Sequence, residues 1–204
     1  MLDKIRKMDV KWKKEKPCVL FLLFSFFNIT FLFMDLELEI LKEHSKRQTV
    51  KITRWVGSDE ERFAELMVLF LTSEYLIVQR SSWIVSLCIE NHPSLIKPWL
   101  SKIVKRAGEK HLHDAVKRNV VRALQFVDIP RSLQGRVANR CFDFLQNVKE
   151  PVAVKAFSMT VLANIAAQEP DLKQEIKLII EQMLPYGSAG IRSRGKKVLQ
   201  QLSR

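Results

Sequence analysis

Apolar residues return every three to four positions along most of the chain, and the same apolar stripe recurs at a nearly fixed distance. Val78, Val116 and Val154 stand 38 residues apart, and Ile191 follows 37 later. Seven positions beyond these anchors come Val85, Ala123, Val161 and Val198; eleven beyond come Ile89, Val127, Ile165 and Leu202. Four beyond, the residue is small or β-branched: Ser82, Val120, Ser158 and Gly195. These offsets return to one side of a 3.6-residue helix, so each repeat predicts an apolar ridge with a narrow notch. A unit of this length cannot bury such a ridge alone and must stack on its neighbours. No stretch sustains a period of two, so a sheet is not expected.

Punctuation along the chain divides the stripe into about ten short helices in five pairs. The first pair runs over 36–44 and 46–56 and closes at Gly57. The others run over 59–72 with 75–90, 94–107 with 112–127, 131–147 with 151–167, and 170–184 with 188–203. Ser58-Asp59-Glu60-Glu61 supplies a capping side chain and an acidic first turn. Pro93, Pro130 and Pro170 each follow a second helix and open the next first helix. Proline suits the first helical turn, where its missing N–H costs nothing, and it forbids continuation of the helix before it. Leu95, Leu133 and Leu172 recur just behind these prolines, so two independent markers share one period.

Residues 1–33 do not belong to this repeat. Lys11, Lys13, Lys14 and Lys16 precede an apolar run from Cys18 to Met34 that holds six of the twelve phenylalanines. A basic flank before a run of this length has the form of a short membrane anchor or uncleaved signal sequence. It equally has the composition of translated AT-rich noncoding DNA, with Met34 as the true start. A buried accessory helix is the third reading. The division expected is therefore a basic and apolar segment over 1–33 and a helical domain over 34–204, cytoplasmic, or membrane-anchored where 18–34 is a real anchor.

The segment Asp114 to Val127, read as Val116-Lys117-x-x-Val120-x-x-Ala123-Leu124-x-x-Val127, resembles the second helix of a HEAT repeat. Val154-Lys155 with Ser158, Val161-Leu162 and Ile165 matches equally, as does Ile191-Arg192 with Gly195, Val198-Leu199 and Leu202. The segment at Val78 departs, since Gln79 replaces the basic residue and Ser86 the leucine. The resemblance spans roughly residues 36–203. It implies an all-α fold, a right-handed α-solenoid of about five helical pairs, whose second helices line a concave surface that holds an extended partner. It implies no chemistry.

Composition changes the picture little. The 47% apolar and 27% charged content with only six glycines suits a helical globular chain. Net charge is +12, from 34 Lys and Arg against 22 Asp and Glu, which favours acidic partners. Cys18, Cys88 and Cys141 are too widely spaced for a disulfide framework or a paired metal site, and point to a reducing compartment. Cys88 and Cys141 read as core thiols. His111-x-His113 lacks the further ligands that a metal site needs. The Gly187-Ser188-Ala189-Gly190 stretch reads as a cap and turn rather than a phosphate cradle. No nucleophile elbow, zinc-protease motif or lyase Gly-Ser-Ser-x-Met-Pro signature occurs, and no cofactor is implied.

One enzyme class bears weighing. HEAT-like alkylpurine DNA glycosylases are basic solenoids that set aromatic residues and an Asp on the inner face. Trp55 and Trp83 lie on or near inner helices, and Arg80, Lys117, Arg118 and Arg122 are placed to touch phosphates. A suitably placed Asp is missing: Asp114 precedes its helix and Asp128 ends it. The position after each anchor, Gln79, Lys117, Lys155 and Arg192, sits at the margin of the stripe. A basic stem there packs on apolar neighbours while its head reaches solvent. These heads either bond the adjacent repeat or face a ligand. A second cluster, Arg192, Arg194, Lys196, Lys197 and Arg204, follows with no acid after Glu181.

The expectation is a non-enzymatic scaffold that holds a protein or acidic partner. Its candidate contacts are Arg80, Trp83, Lys117, Arg118, Arg122, Lys155, Arg192 and Arg194. Nucleic acid is the alternative partner, and membrane enters only with a real anchor at 18–34.

Overall fold

The computed structural model describes residues 34–109 and 112–203, and the chain from Leu36 onward forms one compact unit. The expectations for residues 1–33 lie outside the described residues. Ten α-helices occur among the described residues, and no strand. They are α1 (Leu36–Lys42), α2 (Lys46–Val56), α3 (Glu60–Thr72), α4 (Tyr75–Asn91) and α5 (Leu100–Ala107), then α6 (Asp114–Leu124), α7 (Arg131–Gln146), α8 (Val152–Ala166), α9 (Leu172–Met183) and α10 (Ala189–Leu202). A 3₁₀ segment, Pro93–Trp99, precedes α5.

Local chemistry sets the boundaries. Asp59 accepts the backbone N–H groups of Glu61 and Arg62, each at 3.0 Å, and so caps α3. Ser45 caps α2 through the N–H of Gln48 at 3.1 Å. Gly57 ends α2 at φ +53, a conformation that other residues adopt at a cost. Ser188 is the N-cap residue of α10, as the turn reading of 187–190 requires.

The helices pack as five pairs whose second members form a continuous layer: α2 on α4, α4 on α6, α6 on α8, and α8 on α10. Neighbouring second helices contact one another more extensively than neighbouring first helices do. The four anchors, Val78, Val116, Val154 and Ile191, are buried, as are the four residues seven positions on. The notch positions Ser82, Val120, Ser158 and Gly195 are buried as well. At Gly195 a Cβ would stand 2.9 Å from a methyl of Leu184 and 3.0 Å from one of Ile180, so the missing side chain lets α9 press against α10. Helix α8 packs against α6, α7, α9 and α10. Accordingly its sequence is apolar nearly all round, with Ala153, Ala156, Ala163 and Ala166 keeping it slim.

The third pair departs from its expected outline. The helix expected over 94–107 is split, because Pro98 lacks an N–H and clashes with the carbonyl four residues back; only Leu100–Ala107 is α-helical. The helix expected to run to residue 127 ends at Leu124. There the N–H groups of Gln125 and Phe126 turn to the carbonyls three residues back. That tightening lifts Val127 off the stripe, and it is half-buried where its counterparts Ile89, Ile165 and Leu202 are buried.

Candidate binding face

A seam of polar contacts runs across the layer of second helices, and two of the expected ligand-facing cations, Arg122 and Arg194, are part of it. Between α4 and α6, Asn119 donates to the Ser82 hydroxyl at 2.9 Å. Arg122 donates to the Ser86 hydroxyl at 2.9 Å and pairs with Glu90. Between α6 and α8, Asn164 donates to the Gln125 carbonyl at 3.0 Å. Arg194 on α10 donates to the Thr160 hydroxyl on α8 and, at 3.1 Å, to the side-chain oxygen of Gln125, the residue that caps the end of α6. One guanidinium therefore joins three successive repeats.

Arg80 serves a different neighbour. It donates to the carbonyls of Ile40 at 3.2 Å and Leu41 at 2.7 Å, two of the acceptors left open at the C-terminus of α1. Lys117 reaches Glu150, in the turn before α8, at 2.6 Å and Asp114 at 3.3 Å. The Glu150 side chain is only 3% exposed, so this pair is largely withdrawn from water. Asn147 adds a donor to the same carboxylate at 3.3 Å. Burial works against the charge on Lys117, but the bonds and charges of Glu150 and Asp114 outweigh it, and the pKa is raised.

The other expected contacts have fewer obligations. Arg118 is exposed, and Lys155 is half-exposed; neither has an ion pair among the described residues. Arg192 is exposed and gives one N–H to the Gly187 carbonyl at 2.6 Å. Trp83 is half-buried, tilted against His44 with ring centroids 6.1 Å apart. Trp55 is buried beneath the Arg62 guanidinium at 4.8 Å. Asp114 bonds Lys117, and Asp128 accepts from Gln168 at 2.8 Å, so both aspartates weighed for catalysis have partners of their own. Among the basic residues of the third pair, Lys102 lies over the Trp99 ring and Arg106 pairs with Glu109 at 3.0 Å.

Two further groups were not singled out from sequence. Glu39 accepts from Lys42, Lys51 and Gln48, and these bonds hold its pKa down at about 2 against the opposing effect of burial. Its place on a short amphipathic helix gave no sign of this convergence. Val148 and Tyr186 are large apolar side chains standing 91% and 94% exposed in the turns between helices of a pair. A valine between Asn147 and Lys149, and a tyrosine between Pro185 and Gly187, are the signal that reading for ridges passes over. Cys88 and Cys141 are buried free thiols, and burial pushes both pKa values up to about 12. His113 accepts the Ala115 N–H at 3.1 Å as the cap of α6; His111 lies outside the described residues.

Stacked helical pairs with a shared layer of second helices, stitched side by side and without a closed central core, define an α-solenoid repeat protein. The HEAT repeat domain model matches residues 36–202, and the chain belongs to the HEAT-repeat family. Neither a curated protein nor a solved structure matches it. Among the described residues, no helix is long and apolar enough to cross a membrane.

Proposed function

We propose that this protein is a non-enzymatic binding scaffold that holds a protein segment or another acidic partner on its layer of second helices. The observation that carries the reading is the fate of the basic side chains. Arg80, Lys117, Arg122 and Arg194 bond neighbouring repeats or the adjoining turn, which of the candidate contacts leaves Arg118, Lys155 and Arg192 to meet a ligand. A duplex needs several cations set along a phosphate track, each releasing a counterion. Three dispersed side chains suit a partner recognised locally. The buried thiols fit a reducing compartment, and we place the protein in the cytoplasm.

The test is the affinity of the full chain for a fluorescent 20-base-pair duplex as salt is raised from about 50 to 200 mM. The scaffold reading expects weak binding with a shallow log–log slope. A slope that reports six or more phosphate contacts, roughly −5 or steeper, would instead establish a nucleic-acid binder. In that case Arg118→Glu and Arg192→Glu would each reduce the slope by about one.

A further inference from the structure

The turns of the last two pairs enclose an open groove of about 650 Å³ at the N-terminal ends of α8 and α10. Its walls include Leu145, Val152, Ile179, Met183 and Ile191, while Val148 and Tyr186 belong to its rim as the two most exposed of the large apolar side chains described. Single exposed apolar residues are common, but two of them beside one apolar indentation form a patch. Tyrosine is also a side chain that interfaces favour, since it offers a wide apolar face at small cost in conformational freedom.

The charge in the groove has one sign to spare. The carboxylate among its described lining residues is that of Glu150, already neutralised by Lys117 at 2.6 Å. Lys155 lines the same groove and has no ion pair among the described residues. Helix α8 begins after Pro151 without a side-chain cap, so its positive end adds to the field of Lys155. Arg192, next to the lining residue Ile191, stands exposed with donors left over after its bond to Gly187.

We propose that this groove receives a short acidic peptide segment carrying one large apolar side chain. The apolar side chain enters between Val148, Tyr186 and Met183, and a carboxylate of the segment meets Lys155 at the start of α8. The volume accommodates an anchor of this size, and a lone unpaired lysine amid valines and a tyrosine selects a carboxylate beside an apolar group rather than a run of phosphates. The proposal rests on the scaffold reading and moves the principal contact from the middle of the second-helix layer to its edge.

Panning a random heptapeptide display library against the full chain tests it. The expected result is enrichment of Asp or Glu next to Leu, Phe or Trp. A labelled synthetic copy of the enriched peptide should lose at least tenfold in affinity for Lys155→Glu, and likewise for Tyr186→Asp, with thermal melts of both variants unchanged. Replacing the peptide's apolar residue by Asn should cost as much. Enriched peptides without acidic residues, or undiminished affinity in both variants, would overturn the groove. If affinity instead falls only with Arg118→Glu, the scaffold reading stands and the groove does not. If no peptide is enriched while duplex DNA binds with the steep salt slope, both fall.

Discussion

Arg194 reaches the side chain of Gln125, 69 positions earlier, and on the way bonds Thr160, 34 positions earlier. The two bonds tie α10 to α8 and to the residue that ends α6. A side chain that reads from sequence as part of a ligand-facing basic cluster is thereby a crosslink between repeats. Arg194→Met keeps the apolar stem and removes the donors, and should cost about 1–2 kcal/mol in urea denaturation. Combined with Gln125→Leu, it should show a non-additive loss, because the two mutations remove one shared bond.

Lys117 and Glu150 form the most withdrawn ion pair whose partners lie far apart in sequence. Removing one partner strands a charge with little access to water. Lys117→Met should destabilise the fold by about 3–5 kcal/mol, and the double variant Lys117→Met/Glu150→Gln should recover most of that loss. Lys155→Met, one repeat later, should leave the melting temperature within experimental error. Thermal melts of the four proteins check this contrast between two lysines at the same repeat position.

Two glycines should respond to alanine in opposite directions. At Gly187 a Cβ would lie 2.8 Å from the Met183 carbonyl oxygen and 2.7 Å from a methyl of Ile191, and the backbone atom cannot yield cheaply. Gly187→Ala should cost about 1–3 kcal/mol. Gly135 is an exposed residue inside α7 with open space around its Cα. Gly135→Ala should stabilise by about 0.5–1 kcal/mol, since the helix loses less backbone freedom on forming. Chemical denaturation of the two variants checks both signs.

Glu39 makes stability depend on acid. Its folded-state pKa of about 2 lies below the ordinary value of 4.5. The unfolded chain thus binds the proton more readily, and the contribution is full above pH 4.5 and fades as pH falls toward 2. Wild type should exceed Glu39→Gln in stability at pH 7, and the gap should narrow from about pH 4.5 downward. Paired denaturation curves at pH 7, 5, 4 and 3 measure it.

Much of this architecture is local and could be read from the chain alone. The anchors, their partners seven residues on and the small notch residues occupy the buried face because a 3.6-residue period places them there whatever lies beyond. Asp59, Gly57 and Ser188 end or begin helices through contacts within a few residues. The break at Pro98 was also written locally, in a residue that cannot continue an α-helix, yet the apolar rhythm of 94–107 masks it. Val127 slips from the stripe for a comparable reason, since the last turn of α6 tightens before reaching it.

What the sequence by itself determined is the repeat, its pairing and the face that each helix buries. Only the tertiary structure decided which cations are spent. Lys155 and Lys117 occupy equivalent positions, and Arg192 and Arg194 share one basic run, but Lys117 and Arg194 meet partners from other repeats, whereas Lys155 has no ion pair among the described residues and Arg192 bonds the turn before its own helix. The packing of the stack brings Glu150 to Lys117 and Gln125 to Arg194, and brings two turns together around one groove. Periodicity fixes the direction in which a side chain points; the partner it meets there depends on how closely neighbouring helices approach, and that is set by side-chain volumes summed over several repeats.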